Sequence, residues 1–460
     1  MLLTEQTPAA APGTTDTVAA RLNRLPVARL HWGMVLRLSL GEFFDLYDLF
    51  MVSYVGAALV ASNFLTRDLL PWFVASGFFG MFVGVLGFAV VADVVGRRSA
   101  FLITLLIYSI ATLLTAFSPN AAVLLVLRFI AGIGIGAELV IIDTYISDLV
   151  PPHSRGRFIA VAQTAGFLGA PAVALVSFLL IPTNFLWEGW RWVMVVGGAG
   201  ALLFWYLRSS LPESPRWLES RGRHAEAEAI VADFEREVER ETAGPLPAAV
   251  ATPVVVSKKL PFRDIWKPPY RTRTIMMTIF QFCQTFGYYG FTAWATTLVV
   301  AKGFTLVTSL QYTFLIALLA PVGGVFAYFL LDRVERKWLV VVVALLIAVF
   351  GLGFGFAQTA ALVLLTGALV TFCNNVFSVG LHTYGAEIFP TRARATGAGF
   401  TYAWSRLSSA LSAFIIAALL ASSGVPAVFM VIAGAMVIAA GVVALLGPEV
   451  KDRPVELLAA

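Results

Sequence analysis

The chain has 460 residues, of which 59% are hydrophobic and only 13% charged, and its mean hydropathy is +0.84. A soluble domain averages roughly 45–50% apolar and about 25% charged. One water-solvated core cannot hide that excess, so a soluble globular enzyme is excluded, and repeated apolar stretches of about 20 residues identify lipid as the solvent.

The net charge of +5 does not point to nucleic acid. Residues 211–273 hold 11 of the 32 Lys+Arg and 10 of the 27 Asp+Glu, so the most polar segment is nearly neutral. No basic stripe interleaved with aromatics is present, and nucleic acid is not an expected partner. Cys283 and Cys373 both fall in apolar segments and imply no disulfide framework. His31, His153, His224 and His382 are not spaced as a metal cluster; neither a metal nor a cofactor is expected. Residues 1–20 are Thr/Ala/Pro-rich, read as disordered, and lack a signal-peptide pattern.

Twelve apolar spans follow in order: 31–60, 70–91, 99–118, 121–147, 158–182 and 190–208, then 274–300, 306–331, 338–357, 360–386, 397–421 and 425–447. These divide the chain into a tail (1–30), a six-helix bundle (31–208), a linker with amphipathic helices (209–273), a second six-helix bundle (274–447) and a tail (448–460). The linker run GRHAEAEAIVADFEREVERE has the composition of a solvated helix. Lys and Arg crowd one side: Arg21, Arg24, Arg29, Arg97, Arg98, Arg155, Arg157, the linker, Arg333, Arg336, Lys337, Arg392, Arg394, Lys451 and Arg453. Arg67, Arg191 and Lys302 lie on the other. The positive-inside rule then places both termini in the cytoplasm.

The halves repeat. Asp93, Arg97 and Arg98 recur as Asp332, Arg336 and Lys337, and Asp148, Pro151 and Arg155 recur as Glu387, Pro390 and Arg394, every pair shifted by 239 residues. The fold class expected is an all-α polytopic membrane protein with 12 transmembrane helices in two pseudo-symmetric six-helix bundles, a layout that alternates access at the interface between repeats. Carboxylate–guanidinium pairs at helix ends can latch neighbouring helices, so Asp93, Arg97, Arg98, Asp148, Arg155, Glu213, Arg216, Asp332, Arg336, Glu387 and Arg394 are candidates for a cytoplasmic gate.

With these motifs placed, the chain resembles the major facilitator superfamily (MFS), above all its sugar-porter and metabolite:proton symporter branches. ADVVGRRSAF is similar to the superfamily's G-x-x-x-D-x-x-G-R-R loop, with Ala89 in place of the leading Gly; ISDLVPPHSRGR and AEIFPTRAR resemble its E-x-x-P-x-x-x-R-G loop; LPESPRWLESRGR resembles the P-E-S-P-R-W-L signature that opens the central loop. FGYYGFTAW, AEIFPTRARATGAG and SRLSS resemble niacin-type transporters.

An ionisable side chain at bilayer depth costs at least ~2.5 kcal/mol on insertion scales and needs an explanation. Span 1 holds Glu42, Asp45 and Asp48 on one arc, and span 4 holds Arg128, Glu138 and Asp143. From the helical rise, Asp48 lies ~27 Å and Arg128 ~30 Å from the same membrane edge, so the two can meet. The resemblance agrees: DLYD looks like the D-G-[FY]-D of metabolite symporters, and RFIAGIGIGAE is similar to the span whose arginine pairs with that acid in proton-coupled members. Asp48 is the expected proton site, Arg128 its partner and Asp45 a second acid, while Glu42 and Glu138 could share a proton.

Candidate substrate groups are Gln281, Gln284, Tyr288, Tyr289 and Trp294 in span 7, Asn374 and Asn375 in span 10, and Arg406 in span 11. No carboxylate stands in spans 7, 8, 9, 11 or 12 to neutralise Arg406, and arginine grips carboxylates bidentately. Sugar porters follow the span-7 glutamines with an Ile-Asn-Ala type run; here Gln284 precedes Thr285, Phe286 and Gly287. The expected function is proton-coupled symport of a small organic acid, plausibly an aromatic or niacin-like monocarboxylate. A sugar:proton symporter is the alternative and a drug:proton antiporter the third choice. The expected partners are a small-molecule substrate, protons and lipid, with the chain acting as a monomer.

Overall fold

The computed structural model describes residues 17–208, 211–242, 244–248, 262–268, 270–331, 333–389 and 391–450. Among these the regular elements are helices: α1 (Val18–Asn23), α2 (Arg29–Ala61), α3 (Leu70–Val95), α4 (Arg97–Thr115), α5 (Ala121–Leu149), α6 (Arg155–Phe167), α7 (Gly169–Leu180) and α8 (Gly189–Arg208) come first. The linker contributes α9 (Pro215–Ser220) and α10 (His224–Thr242). Then follow α11 (Arg271–Thr292), α12 (Ala295–Ala301), α13 (Leu306–Ala317), α14 (Leu319–Leu331), α15 (Arg336–Phe356), α16 (Ala360–Ile388) and α17 (Thr391–Leu446).

Among the described residues nine helical segments are long and apolar enough to cross a bilayer, and one of them, Gly399–Leu446, is 48 residues long. It holds two spans, because Gly424 inside α17 has φ +75° and Pro426 follows it. With α8 and the α11–α12 pair, these make the twelve spans read from the sequence. Three spans are broken in mid-membrane, a feature the run lengths did not reveal. α6 stops at Phe167, four residues before Pro171, and α13 stops at Ala317, four residues before Pro321; each proline ring displaces the carbonyl at that distance. The α11–α12 break frees the Thr296 amide, which donates to Ser53 Oγ at 3.1 Å.

Small residues let the spans approach closely. A Cβ on Gly132 of α5 would sit 2.1 Å from the Gly77 carbonyl of α3, and one on Gly136 would sit 2.3 Å from that of Met81. One apolar core runs through both bundles. Contacts between the bundles include Ser53–Thr296, Trp72–Phe414 with ring centroids 4.8 Å apart, Phe178–Phe314 and, nearer the middle, Phe78–Tyr289. The first three lie in the membrane half away from the termini. On the terminal side, Gly87 of α3 and Gly399 of α17 each have open space where a Cβ would stand.

A second core caps the first bundle on the terminal face, joining Val18 and Leu22 of α1 to Trp217, Val231 and Phe234 of α9 and α10. Residues 17–20, read with 1–16 as disordered, are therefore ordered; residues 1–16 lie outside the described residues. Thr17 caps α1 by accepting from the Ala20 amide. Arg21 and Arg24 both bind Glu235, at 2.5 and 2.7 Å, and the Arg29 amide donates to Glu241 at 2.7 Å. Burial pushes the Glu235 carboxyl up, but the hydrogen bonds and charges of Arg21 and Arg24 outweigh it and hold Glu235 below the usual glutamate range.

Two outcomes follow from this packing. Because its folded-state proton affinity is depressed, Glu235 stabilises the clasp above its ordinary titration range and stops doing so as pH falls through the folded value. The protection factor for hydrogen exchange in residues 18–24 should fall about fivefold as pH drops through the folded-state value of Glu235, and Glu235→Gln should give that loss already at pH 7. Gly132→Val should lower the melting temperature and the monodisperse yield, since overpacking costs about 1–3 kcal/mol or more when backbone is the obstacle.

Candidate transport site

The first-bundle part of the site is built on α2, α4 and α5. Arg128 Nη1 donates to both oxygens of Asp48, at 2.9 and 2.8 Å, and Thr112 Oγ1 donates to Asp48 Oδ1 at 3.0 Å. Arg128 is 2% and Asp48 1% exposed, so the pair meets without water, as the helical rise predicts. The guanidinium also lies over the Phe73 ring, 5.8 Å from its centroid, and Gly77 of α3 leaves it room. Thr112 is a ligand of this pair that sequence reasoning missed; a lone hydroxyl in an apolar span gives no signal of its own.

One turn and more toward the terminal face, Glu42 is 8% exposed and Glu138 is fully buried. Glu42 lies in the electrostatic field of both Asp143 and Glu138, and its Oε2 accepts no hydrogen bond. Asp45 is buried on the same helix. Asp143 joins Glu42 and Glu138 although the sequence reading gave it no role.

Across the interface, α17 presents Arg406, 2% exposed. It donates to the Tyr289 hydroxyl at 2.5 Å and to the Tyr402 hydroxyl, with its carbon 5.3 and 4.8 Å from the two ring centroids. Its Nε has no partner, and no carboxylate among the described residues pairs with it. Tyr402 stands one turn before Arg406, a spacing that could have flagged it, and packs against His382 with centroids 5.9 Å apart. Tyr402 also lies in the field of Asp143 as well as that of Arg406.

The amides form a layer in the second bundle. Gln284 donates to Gln281 at 3.0 Å, Asn375 to the Thr371 carbonyl at 2.8 Å and Asn374 to the Gly287 carbonyl at 3.5 Å. The Oδ1 atoms of Asn374 and Asn375 are buried without a donor. Tyr288 stacks edge-on against Tyr289, centroids 4.9 Å apart. Trp294, 2% exposed, packs into the apolar core at the α11–α12 break and is not brought to this layer.

At the terminal face, the candidate gate residues of the first bundle form one network with the start of the linker. Glu213 Oε1 accepts from the Arg98 and Ser214 amides, both at 2.9 Å, so it satisfies the open N-terminus of α4. The carboxylate occupies the place of a Cβ on Gly96, whose φ is +103°; only glycine allows both that turn and that approach. Asp148 accepts from Ser214 Oγ at 2.7 Å, lies 3.7 Å from Arg97 Nε and sits in the fields of Arg216 and Arg155. Arg216 donates to Asn23 at 2.7 Å. These bonds join parts of the first bundle and its cap. Arg336 begins α15 in the second bundle; Asp332 and the side chains of Asp93, Glu387 and Arg394 lie outside the described residues.

Comparison with known proteins fits this architecture. Residues 37–460 match the family model "Sugar (and other) transporter". The chain is 32% identical over 442 residues to the putative metabolite transport protein YyaJ of Bacillus subtilis, covering 96% of this chain and 97% of that one. It is 32% identical over 441 residues to the niacin transporter NiaP of Acinetobacter baylyi, covering 95% and 99%. The xylose transporter XylE of E. coli, in a partially occluded inward-open conformation, superposes with a TM-score of 0.75 at 22% identity over 93% of this chain and all of that one. The chain is a multi-pass cell-membrane protein of the sugar (and other) transporter family, a major facilitator carrying small molecules across the membrane and not an enzyme.

Proposed function

We propose that the protein is a proton-coupled symporter of a small organic acid, an aromatic or niacin-like monocarboxylate, working as a monomer by alternating access with both termini in the cytoplasm. The observation that carries this reading is Arg406. It is a buried guanidinium held only by neutral phenols among the described residues, with a donor to spare. A carboxylate would complete it with charge-assisted bonds, and Tyr288 and Tyr289 offer flat faces to an aromatic ring. The niacin transporter among the relatives supports the same substrate class.

Proton coupling rests on the acids. Arg128 is bound to Asp48, and Glu42 lies in the field of Asp143 and Glu138. Low dielectric disfavours a cluster of ionised carboxylates, so protons enter and leave as the bundles rock. Asp48 is the principal proton site, switched by the approach and withdrawal of Arg128, with Asp45 as a relay. The terminal-face charges serve as the gate, the first-bundle set bracing α3, α4, α5 and α9 as one piece. The amide layer of Gln281, Gln284, Asn374 and Asn375 suits hydroxyls and is the observation that favours the second reading, a sugar:proton symporter.

Uptake into proteoliposomes with an imposed pH gradient decides between them. Nicotinate and benzoate should accumulate, and D-xylose should not; accumulation of the sugar alone would overturn the acid reading. Arg406→Gln should raise KM for carboxylates about ten- to hundredfold, the loss of a charged hydrogen-bond pair. Asp48→Asn should abolish proton-driven accumulation while leaving substrate counterflow across the membrane. Retained uphill uptake in that variant would remove Asp48 from the coupling.

A further inference from the structure

Away from the interface between the bundles, a cavity of about 280 Å³ opens toward the bilayer between α14, α15 and α16. Its wall is apolar throughout, with Phe326 and Val334 from α14 and the turn after it, Trp338, Val342 and Leu346 from α15, and Phe372 from α16. Trp338, Val342 and Leu346 are spaced by four residues, so they line one stripe, running ~12 Å from the terminal face toward the midplane. Phe326 is 48% and Trp338 46% exposed. At the groove's deep end α14 and α16 meet closely, the Phe372 carbonyl standing 2.5 Å from the Cβ position of Gly323, so the groove opens between them only beyond that contact.

The rim carries a basic group: Lys337 is half-exposed, and its ammonium lies 5.2 Å from the centroid of the Trp338 ring. Glu335, which precedes α15, accepts from the Val450 amide at 2.9 Å.

We propose that this groove is a binding site for an anionic phospholipid of the surrounding bilayer. One acyl chain lies along Trp338, Val342 and Leu346, and the headgroup phosphate is gripped by Lys337. An acyl chain matches the apolar wall, and a basic mouth one helical turn above it selects the headgroup charge. The site lies outside the transport pathway, so its occupant is a resident of the protein and not its cargo.

The test uses the full-length protein in detergent, stripped of lipid and offered phosphatidylglycerol or phosphatidylcholine with identical chains, with bound lipid counted by native mass spectrometry. Wild type should retain phosphatidylglycerol about fivefold better than phosphatidylcholine, the effect of one basic group near the surface. Lys337→Gln should keep a bound lipid but lose the preference. Val342→Trp fills the groove from a lipid-facing position and should lose both lipids, whereas Leu86→Trp, at an equally exposed position on α3, should change neither. Equal retention of the two lipids by wild type would overturn the proposal, as would loss on Leu86→Trp matching that on Val342→Trp. An undiminished preference in Lys337→Gln would overturn the headgroup assignment.

Discussion

A carboxylate and a guanidinium that meet out of reach of water set the terms for the first bundle. Either charge alone would be costly at that depth, and the pair holds only with good geometry and its remaining polar atoms engaged. The geometry is good, with two contacts under 3 Å between Arg128 and Asp48, and Thr112 adds a third bond to Asp48, while Arg128 Nε is left without an acceptor. The surroundings answer to the same demand, with Phe73 offering its face to the guanidinium and Gly77 withholding a side chain. Helices α2, α4 and α5 are thus tied at a single point, inside one bundle.

The bundles are duplicates at their loops and opposites in their interiors. Motifs at the terminal face keep one offset through both halves, yet the acids buried in the first bundle stand on α2 and α5, while among the described residues Arg406 of the second bundle bonds to tyrosines. On the proposed reading, an anion at Arg406 and a proton among the acids would each relieve an electrostatic imbalance, and that would link cargo to proton.

The twelve spans were legible because lipid imposes length and apolarity on each, and the meeting of Asp48 and Arg128 was legible because both depths can be counted from one edge. What escaped has identifiable causes. Pro171 and Pro321 mark the breaks in their spans, but an apolar run reads through a proline without interruption. The partners of Arg406 were sought among charged residues, and Tyr289 and Tyr402 carry no charge to count. Trp294 was grouped with Tyr288 and Tyr289 by proximity in sequence, although the α11–α12 break sends it into the core. Helix α1 has six residues, too few for a periodic pattern or for stability on its own; it is held by Glu219 and Glu235, more than 200 positions away, and separation on that scale leaves no local trace.

The linker shows why two separate sequence motifs belong together. Glu213 of the P-E-S-P-R-W-L run is the carboxylate that satisfies the start of α4, and Gly96 of the G-R-R loop is the residue that makes room for it. Ser214 then fastens the same segment to Asp148 at the end of α5. Each motif supplies what the other lacks: one leaves helix amides open beside a residue without a side chain, and the other brings an anion that must be neutralised. Because α9 and α10 are further clasped by Arg21, Arg24 and Asn23, this half of the linker is held to the first bundle, whereas Phe262 and Trp266 near its other end pack on Phe400 of α17. Each end of the linker is thus fastened to the bundle it adjoins, so a rocking of the bundles need not strain the α9–α10 cap or break its bonds.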